Sequence, residues 1–228
     1  MIFAKIDFIN LLPFHIFIKK NIKSTQQKSI IEYKKSYPSF INNKFKKRKV
    51  DSAFISSIAS RNEKYLDFGI VAQDEVLSVL LIPGIQESDF QSQTSNALAK
   101  VLDLEGKVII GDKALKFYHE NPDVIKIDLA KEWKNKYNLP FVFAVLCFNS
   151  NKKALEKVTK NFNKQHIKIP QYILEQYSKR SGVSKNNILE YLKKIDYNLT
   201  LKEKRSLKLF LNLTKEKGLK WQFSIPQY

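Results

Sequence analysis

The chain has 228 residues, 40 Lys+Arg against 22 Asp+Glu, a formal net charge of +18, and is 43% hydrophobic and 12% aromatic. That apolar content excludes disorder as the main state and suffices for one large domain or two small ones. Cys147 is the only cysteine, which excludes a disulfide scaffold and a thiolate zinc site, and His15, His119 and His166 show no ligand-like spacing.

In chain order, Met1 to Ile9 is β-rich and reads as a first strand, ended by the turn Asn10-Leu11-Leu12-Pro13 and a helix start. Ile30 to Tyr33 reads as a short strand, Pro38 to Phe45 as a helix, Val50 to Ser56 as an alternating strand, and Ile58 to Arg61 as a short helix. Strands follow over Tyr65 to Ala72 and Val76 to Ile82, the second stopped by Pro83-Gly84. Next come a helix from Asn96 onward, strand Lys107 to Ile110, helix Lys113 to Tyr118, strand Val124 to Asp128, helix Leu129 to Tyr137 and strand Pro140 to Phe148. The remainder is helical over roughly 151–165, 170–180, 184–194 and 200–217, with a terminal strand over Leu219 to Ile225. No apolar run reaches the roughly 18 residues of a membrane span. Lys5, Asp7 and Asn10 break up the N-terminal apolar stretch, so no signal peptide is expected and the expected location is cytoplasmic.

Strands alternating with helices imply an α/β fold with largely parallel sheets. The apolar strands 76–82 and 140–148 bracket a charge-neutral region and are expected to be the crossings between two lobes: residues 1–82 and 145–228 in a discontinuous first lobe, 83–144 in an inserted second one. A ligand cleft is expected between the lobes. Residues 83–144 hold 8 basic and 9 acidic side chains, and the rest of the chain 32 and 13. The densest basic runs are Lys44 to Lys49 and Lys152 to Lys168. Such a field attracts anions, nucleic acid or a small dianion. No aromatic RNA-binding signature, helix-turn-helix or zinc finger accompanies it, so it reads as a solvated lysine-rich surface, and no nucleic-acid partner is expected.

Several polar motifs fall at strand ends, where α/β sheets bind ligands. Ser92-Gln93-Thr94-Ser95 at a helix start is either a plain N-cap or a carboxylate site built from hydroxyls and free N–H groups. Ser56-Ser57 is either a local turn or a donor pair for a second carboxylate. Ser78, within an apolar strand, either bonds the nearby backbone or faces the cleft. Asn10 is either a turn residue or a fixed dipole for a departing hydroxyl. Gly111 lets the backbone approach a ligand, while Asp112 would repel an anion and suits a capping or scaffold role. Phe141 and Phe143 read as core, with one of them available to line a cleft. No general base is evident.

Read together, Ile9-Asn10-Leu11-Leu12-Pro13, Asp51 through Ser57, Leu77-Ser78-Val79-Leu80-Leu81, Ser92-Gln93-Thr94-Ser95, Ile110-Gly111-Asp112-Lys113-Ala114-Leu115, Asp128-Leu129 with Glu132-Trp133, and Leu139-Pro140-Phe141-Val142-Phe143-Ala144 resemble the chorismate dehydratase family of the futalosine route to menaquinone. The resemblance is dense over residues 1–148 and covers the helical tail only in outline. It implies a two-lobed fold like that of type II periplasmic binding proteins, used in the cytoplasm. It also implies a hydro-lyase that converts chorismate to 3-[(1-carboxyvinyl)oxy]benzoate, the first step of that route, without metal or organic cofactor. On it, Asn10 is the expected catalytic residue, and Ser56, Ser57, Ser78, Ser92, Thr94, Ser95, Gly111, Asp112 and Phe141 the expected substrate contacts. With no convincing general base evident, the substrate's own enolpyruvyl carboxylate is the expected proton acceptor.

This chain departs from the family at Asp74-Glu75, where small residues are usual, at Ala130 and Asn138, where glycine is usual, and at Leu146-Cys147. Charge at Asp74-Glu75 would weaken the binding of a dianion unless it points away. The alternatives are the sister enzyme that makes 1,4-dihydroxy-6-naphthoate, whose Ser-Pro-Cys-Pro-Asn-Asp-like opening is missing here, and a non-catalytic solute-binding protein.

Overall fold

A computed structural model describes residues 3–4, 6–21, 38–84 and 93–220. The strand expected over Ile30 to Tyr33, Ser92, and most of the terminal strand expected over Leu219 to Ile225 lie outside the described residues.

The strands are β1 (Phe3–Ala4), β2 (Ser52–Ser56), β3 (Tyr65–Ala72), β4 (Val79–Ile82), β5 (Lys107–Ile110), β6 (Ile127–Asp128), β7 (Phe141–Phe148) and β8 (Ile195–Asn198). They form a five-stranded sheet in the order β1-β2-β7-β3-β8 and a three-stranded sheet in the order β5-β4-β6. In the large sheet β1 and β2 are parallel, whereas β7 runs antiparallel to both its neighbours. The chain therefore leaves the large sheet after β3, builds the small one, and returns through β7 into the middle of the sheet it left. The strands are therefore mixed, not largely parallel as expected, and lie in two sheets joined by two crossings of the chain. From the sheets we propose that the chain changes lobe within 73–78 and again at 138–140, a few residues before the boundaries expected from the sequence.

The helices are α1 (Leu12–Asn21), α2 (Pro38–Lys46), α3 (Gln93–Val101), α4 (Gly111–Glu120), α5 (Leu129–Tyr137), α6 (Lys152–Asn163), α7 (Gln171–Ser181), α8 (Lys185–Leu192) and α9 (Leu201–Glu216). Their ends follow local chemistry. Pro13 lies in the first turn of α1, where its missing N–H costs nothing. Asp128 caps α5, and Thr200 with Glu203 forms a capping box on α9. Asn138, which stands where the resemblance has glycine, takes the left-handed conformation that ends α5 (φ 53°), one that asparagine tolerates better than most residues.

Both faces of the large sheet are covered, so all five residues of β2 are buried and its alternation does not mark a solvent face. One side of the core is aromatic. Phe14 is fully buried and lies 5.2–6.0 Å, centroid to centroid, from Phe3, Phe54, Phe68 and Phe162. On another side Trp133 packs against Tyr137, Phe141 and Phe210 and donates its indole N–H to Ser206 Oγ at 2.9 Å.

Several expectations change. Ile58 to Arg61 is a turn, closed by Ala59 and Ser60 N–H bonds to the Ser56 carbonyl. The strand expected from Val76 begins at Val79, and the one expected from Val124 is confined to Ile127–Asp128, Lys126 Nζ having taken the carbonyls of Asn121, Pro122 and Val124. The edge strand β8, with Asp196 and Asn198 in its four residues, falls where only an interhelical gap was expected.

Phe14→Ala should destabilise the fold by about 3–5 kcal/mol, since it opens a cavity among four other rings. Urea unfolding checks this: the midpoint should fall with little change in slope.

Candidate functional site

A cleft of about 600 Å³, mouth included, opens between the two sheets and is lined by residues from both. One row of strand pairs runs along its large-sheet side. Ser56 on β2 is paired with Ala144 on β7, Ala144 with Ile70 on β3, and all three line the cleft. The opposite side comes from Val76, Ser78, Val79, Ile110 and Gly111, with Ser95 from α3. Ile6, Phe8, Asn10, Pro38 and Phe143 complete the lining. Among the described residues the lining is an apolar slot with an amide and three hydroxyls, and no ionisable side chain. No group of three or more His, Cys, Asp or Glu able to hold a metal occurs among the described residues.

Asn10 sits in the 3-10 turn Ile9–Leu11 that leads into α1, and its position is fixed from both sides. Tyr197 on β8 donates its hydroxyl to the Asn10 carbonyl at 2.5 Å, and the N–H of Ile9 donates to Asp112 Oδ1 at 3.0 Å. The Asn10 side-chain oxygen is buried yet accepts no hydrogen bond from protein. A buried amide oxygen without a donor costs free energy comparable to a lost hydrogen bond, and here it belongs to a residue that lines the cleft.

Ser78 shares a hydrogen bond with the Tyr191 hydroxyl (2.9 Å) and accepts the Gly111 N–H on its carbonyl (2.8 Å). Burial pushes the phenols of Tyr191 and Tyr197 well above their ordinary range, so both remain protonated. The approach to Ser78 depends on Asp128. One of its oxygens accepts the N–H groups of Val76 (2.9 Å) and Leu77 (2.6 Å), the other those of Ala130 (3.0 Å) and Lys131 (3.1 Å). The carboxylate thereby holds Leu77 at φ 60°, a conformation unfavourable for leucine. Gly111 is also at positive φ (66°), and a Cβ there would lie 3.0 Å from the Phe8 ring. The backbone conformation and the nearby ring both favour glycine at that point.

Of the expected site residues, the structure brings Asn10, Ser56, Ser78, Ser95 and Gly111 to the cleft. Ser56 also accepts an amide hydrogen bond from Asn42 at 2.8 Å. Ser57, Thr94, Asp112 and Phe141 are not in the lining. Ser57 donates to the Val142 carbonyl at 2.5 Å, Thr94 Oγ1 accepts the Ile58 N–H at 3.2 Å, Asp112 is engaged by Ile9 and Arg180, and Phe141 packs with Trp133 and Phe210 while Phe143 takes the cleft position. Asp74 and Glu75 do not line the cleft either, being paired with Lys131 (3.0 Å) and Lys194 (2.6 Å). Tyr191, Tyr197 and Arg180 support the site from the helical tail without any sequence signal. Asp128 was visible within a motif but carried no expected role.

Asp128→Ala would leave four backbone N–H groups without their acceptor and should destabilise the protein by about 3 kcal/mol or more. Its urea midpoint should fall accordingly, and Asp128→Asn, which keeps an acceptor oxygen, should lose less.

A family model described as menaquinone biosynthesis matches residues 86–216. The chain is 46% identical over 223 residues to a protein of Campylobacter jejuni subsp. jejuni serotype O:23/36 (strain 81-176) named chorismate dehydratase, covering 96% of this chain and all of that one. Among solved structures it is similar to protein AF1704 from Archaeoglobus fulgidus, with a TM-score of 0.63 and 13% identity over 95% of this chain and 97% of the other. It is also similar to the Candida albicans CA3427 product, which is described as exhibiting the generic periplasmic binding protein fold, with a TM-score of 0.47 and 15% identity over 96% of each chain. With a family model matched over more than half its length and a relative 46% identical along nearly all of it, this chain belongs to the menaquinone biosynthesis family.

Proposed function

We propose that this chain is a chorismate dehydratase, a hydro-lyase that removes water from chorismate to give 3-[(1-carboxyvinyl)oxy]benzoate, the first step of futalosine-route menaquinone biosynthesis. The name of the 46% identical relative supports the reading. The observation that carries it is the cleft, an apolar slot with neutral hydrogen-bonding groups and a buried, unpartnered Asn10 oxygen. No helix among the described residues is long and apolar enough to cross a membrane, and the cytoplasmic location expected from the sequence is kept within this proposal.

The chemistry asks little of the protein. Chorismate loses its ring hydroxyl and the hydrogen on the adjacent carbon that bears the enolpyruvyl ether. One C–H and one C–O bond break, a ring double bond forms, and water leaves. Aromatisation supplies the driving force. The slot formed by Phe8, Val76, Val79 and Phe143 suits the ring, and Ser56, Ser78 and Ser95 suit its carboxylates. Asn10 is assigned to the ring hydroxyl, where a fixed amide dipole assists departure in a water-poor cleft. The proton is assigned to the substrate's own enolpyruvyl carboxylate, held near it by the pose, because no ionisable side chain lines the described cleft.

The direct test is incubation of purified protein with chorismate, following loss of the diene absorbance and looking by mass spectrometry for a product lighter by one water. Unchanged chorismate would overturn the reading. Binding without turnover would favour a solute-binding protein, and neither would direct the assay to the sister enzyme's substrate. Asn10→Ala should lower kcat by about 10²–10³, the scale of removing one preorganised polar group from an active site. Its KM should change much less. The kcat profile should be flat from about pH 6 to pH 9, because no described lining group titrates there and both substrate carboxylates are ionised throughout. An ascending limb near the histidine range would instead place a protein base in the reaction.

A further inference from the structure

Behind the cleft, four side chains from three separate parts of the chain meet around the Asn10 turn. Arg180, in the last turn of α7, directs Nη1 to Asp7 Oδ2 (2.8 Å) and Nη2 to Asp112 Oδ2 (2.9 Å). Nη2 also donates to the Asp7 carbonyl at 3.0 Å. Tyr177, one turn earlier on α7, donates its hydroxyl to Asp7 Oδ1 at 3.0 Å, and its ring lies 4.2 Å beneath the guanidinium. The remaining oxygen of Asp112, Oδ1, takes the N–H of Ile9, next to Asn10. Asp7 follows β1 of the large sheet closely in the chain, while Asp112 is the second residue of α4, directly after the cleft residue Gly111 at the end of β5 of the small sheet.

We propose that Arg180 is a positioning residue for the dehydration: by bridging Asp7 and Asp112 it clasps the two lobes and, through Asp112, holds the Asn10 turn in its productive place. The inference rests on the proposed reaction, but the contact chain it describes does not. Planar guanidinium geometry allows one side chain to serve two carboxylates at once, which an ammonium cannot do as rigidly. Burial pushes the Asp112 carboxyl above its ordinary range, against the Ile9 N–H and the Arg180 charge, which hold it down. Without Arg180, Asp7 and Asp112 would face each other uncompensated across the turn, and Asp112 would move toward water and release Ile9. Two unbalanced negative charges would also stand close to the site of a dianion.

The test has one arm that needs no turnover. Hydrogen exchange of the segment holding the Ile9 amide should be at least about tenfold faster in Arg180→Gln than in the wild type. Its protection should return in Arg180→Gln/Asp112→Asn, which removes the repulsion between Asp7 and Asp112 and keeps an acceptor for Ile9. With chorismate, Arg180→Gln should lower kcat by about tenfold to a hundredfold, the scale of an ångström-sized displacement of a reacting group, and Arg180→Lys should lie between. In an Asn10→Ala background the same substitution should change kcat by less than about twofold, because the group it positions is already gone. Unaltered exchange at Ile9 in Arg180→Gln overturns the clasp, whatever the protein turns over. An equal kcat loss with and without Asn10 overturns the positioning role and leaves a merely structural one. A wild-type protein inert toward chorismate sinks the proposed reaction, and the exchange arm then decides the clasp alone.

Discussion

The cleft depends on one strand-pairing constraint. The return strand Phe141–Phe148 enters the large sheet antiparallel between Ser52–Ser56 and Tyr65–Ala72, and its register places Ala144 level with both Ser56 and Ile70. Because a strand's side chains alternate at a period of two, a slip of one residue would turn this row away from the cleft. The register is held by side chains that fit only one way. Gly69 stands so close to the strand that a Cβ would lie 2.4 Å from the Ala144 carbonyl. Ser57 closes its hydroxyl onto the Val142 carbonyl, and its N–H onto that of Phe143, just beyond the end of Ser52–Ser56. Packing thus decides the chemistry before any functional group is considered.

The second constraint is electrostatic. A chain of net charge +18 draws dianions toward it, yet the described cleft lining contains no ionisable side chain. Carboxylates near the cleft are each engaged elsewhere: Asp112 by Arg180 and Ile9, Asp74 by Lys131, Glu75 by Lys194, and Asp128 by four backbone N–H groups. The long-range field and the local site therefore perform separate tasks. The field is sequence-tolerant and spread over many lysines, while the described lining of the site is neutral. Asp74 and Glu75 are balanced by Lys131 and Lys194, and none of the four lines the cleft.

Much of this was legible in the sequence, for reasons that differ by residue. Long apolar strands such as 140–148 announce themselves because burial on both faces demands continuous hydrophobicity. Asn10, Ser56, Ser78, Ser95 and Gly111 were legible because they are polar or flexible residues at the ends of apolar runs, where local structure alone leaves them underemployed. Thr94, Ser57 and Asp112 carry the same signal and yet stabilise neighbouring backbone, as Thr94 does for the Ile58 N–H. Hydroxyls at a helix start look alike in sequence whether they face a ligand or a loop. Phe141 and Phe143 stand two apart on one strand, where simple alternation would put both rings on one face, so only the sheet's placement decides which ring meets the cleft and which meets Trp133.

The tail was the least legible part, and the structure makes it an active participant. Tyr191, Tyr197 and Arg180 lie in segments whose sequence shows only helical periodicity and a polar four-residue edge strand. A tyrosine on an apolar helix face reads as core, and both buried tyrosines are indeed packed as core. What distinguishes them is the long-range destination of one hydroxyl each: the Ser78 hydroxyl 113 residues away and the Asn10 carbonyl 187 residues away. A buried phenol must find an acceptor or donor, and in this fold the groups that meet that demand belong to the cleft. The same hydrogen bonds that satisfy the core therefore orient the site, so the helical tail is a structural requirement of the cleft that the two sheets form.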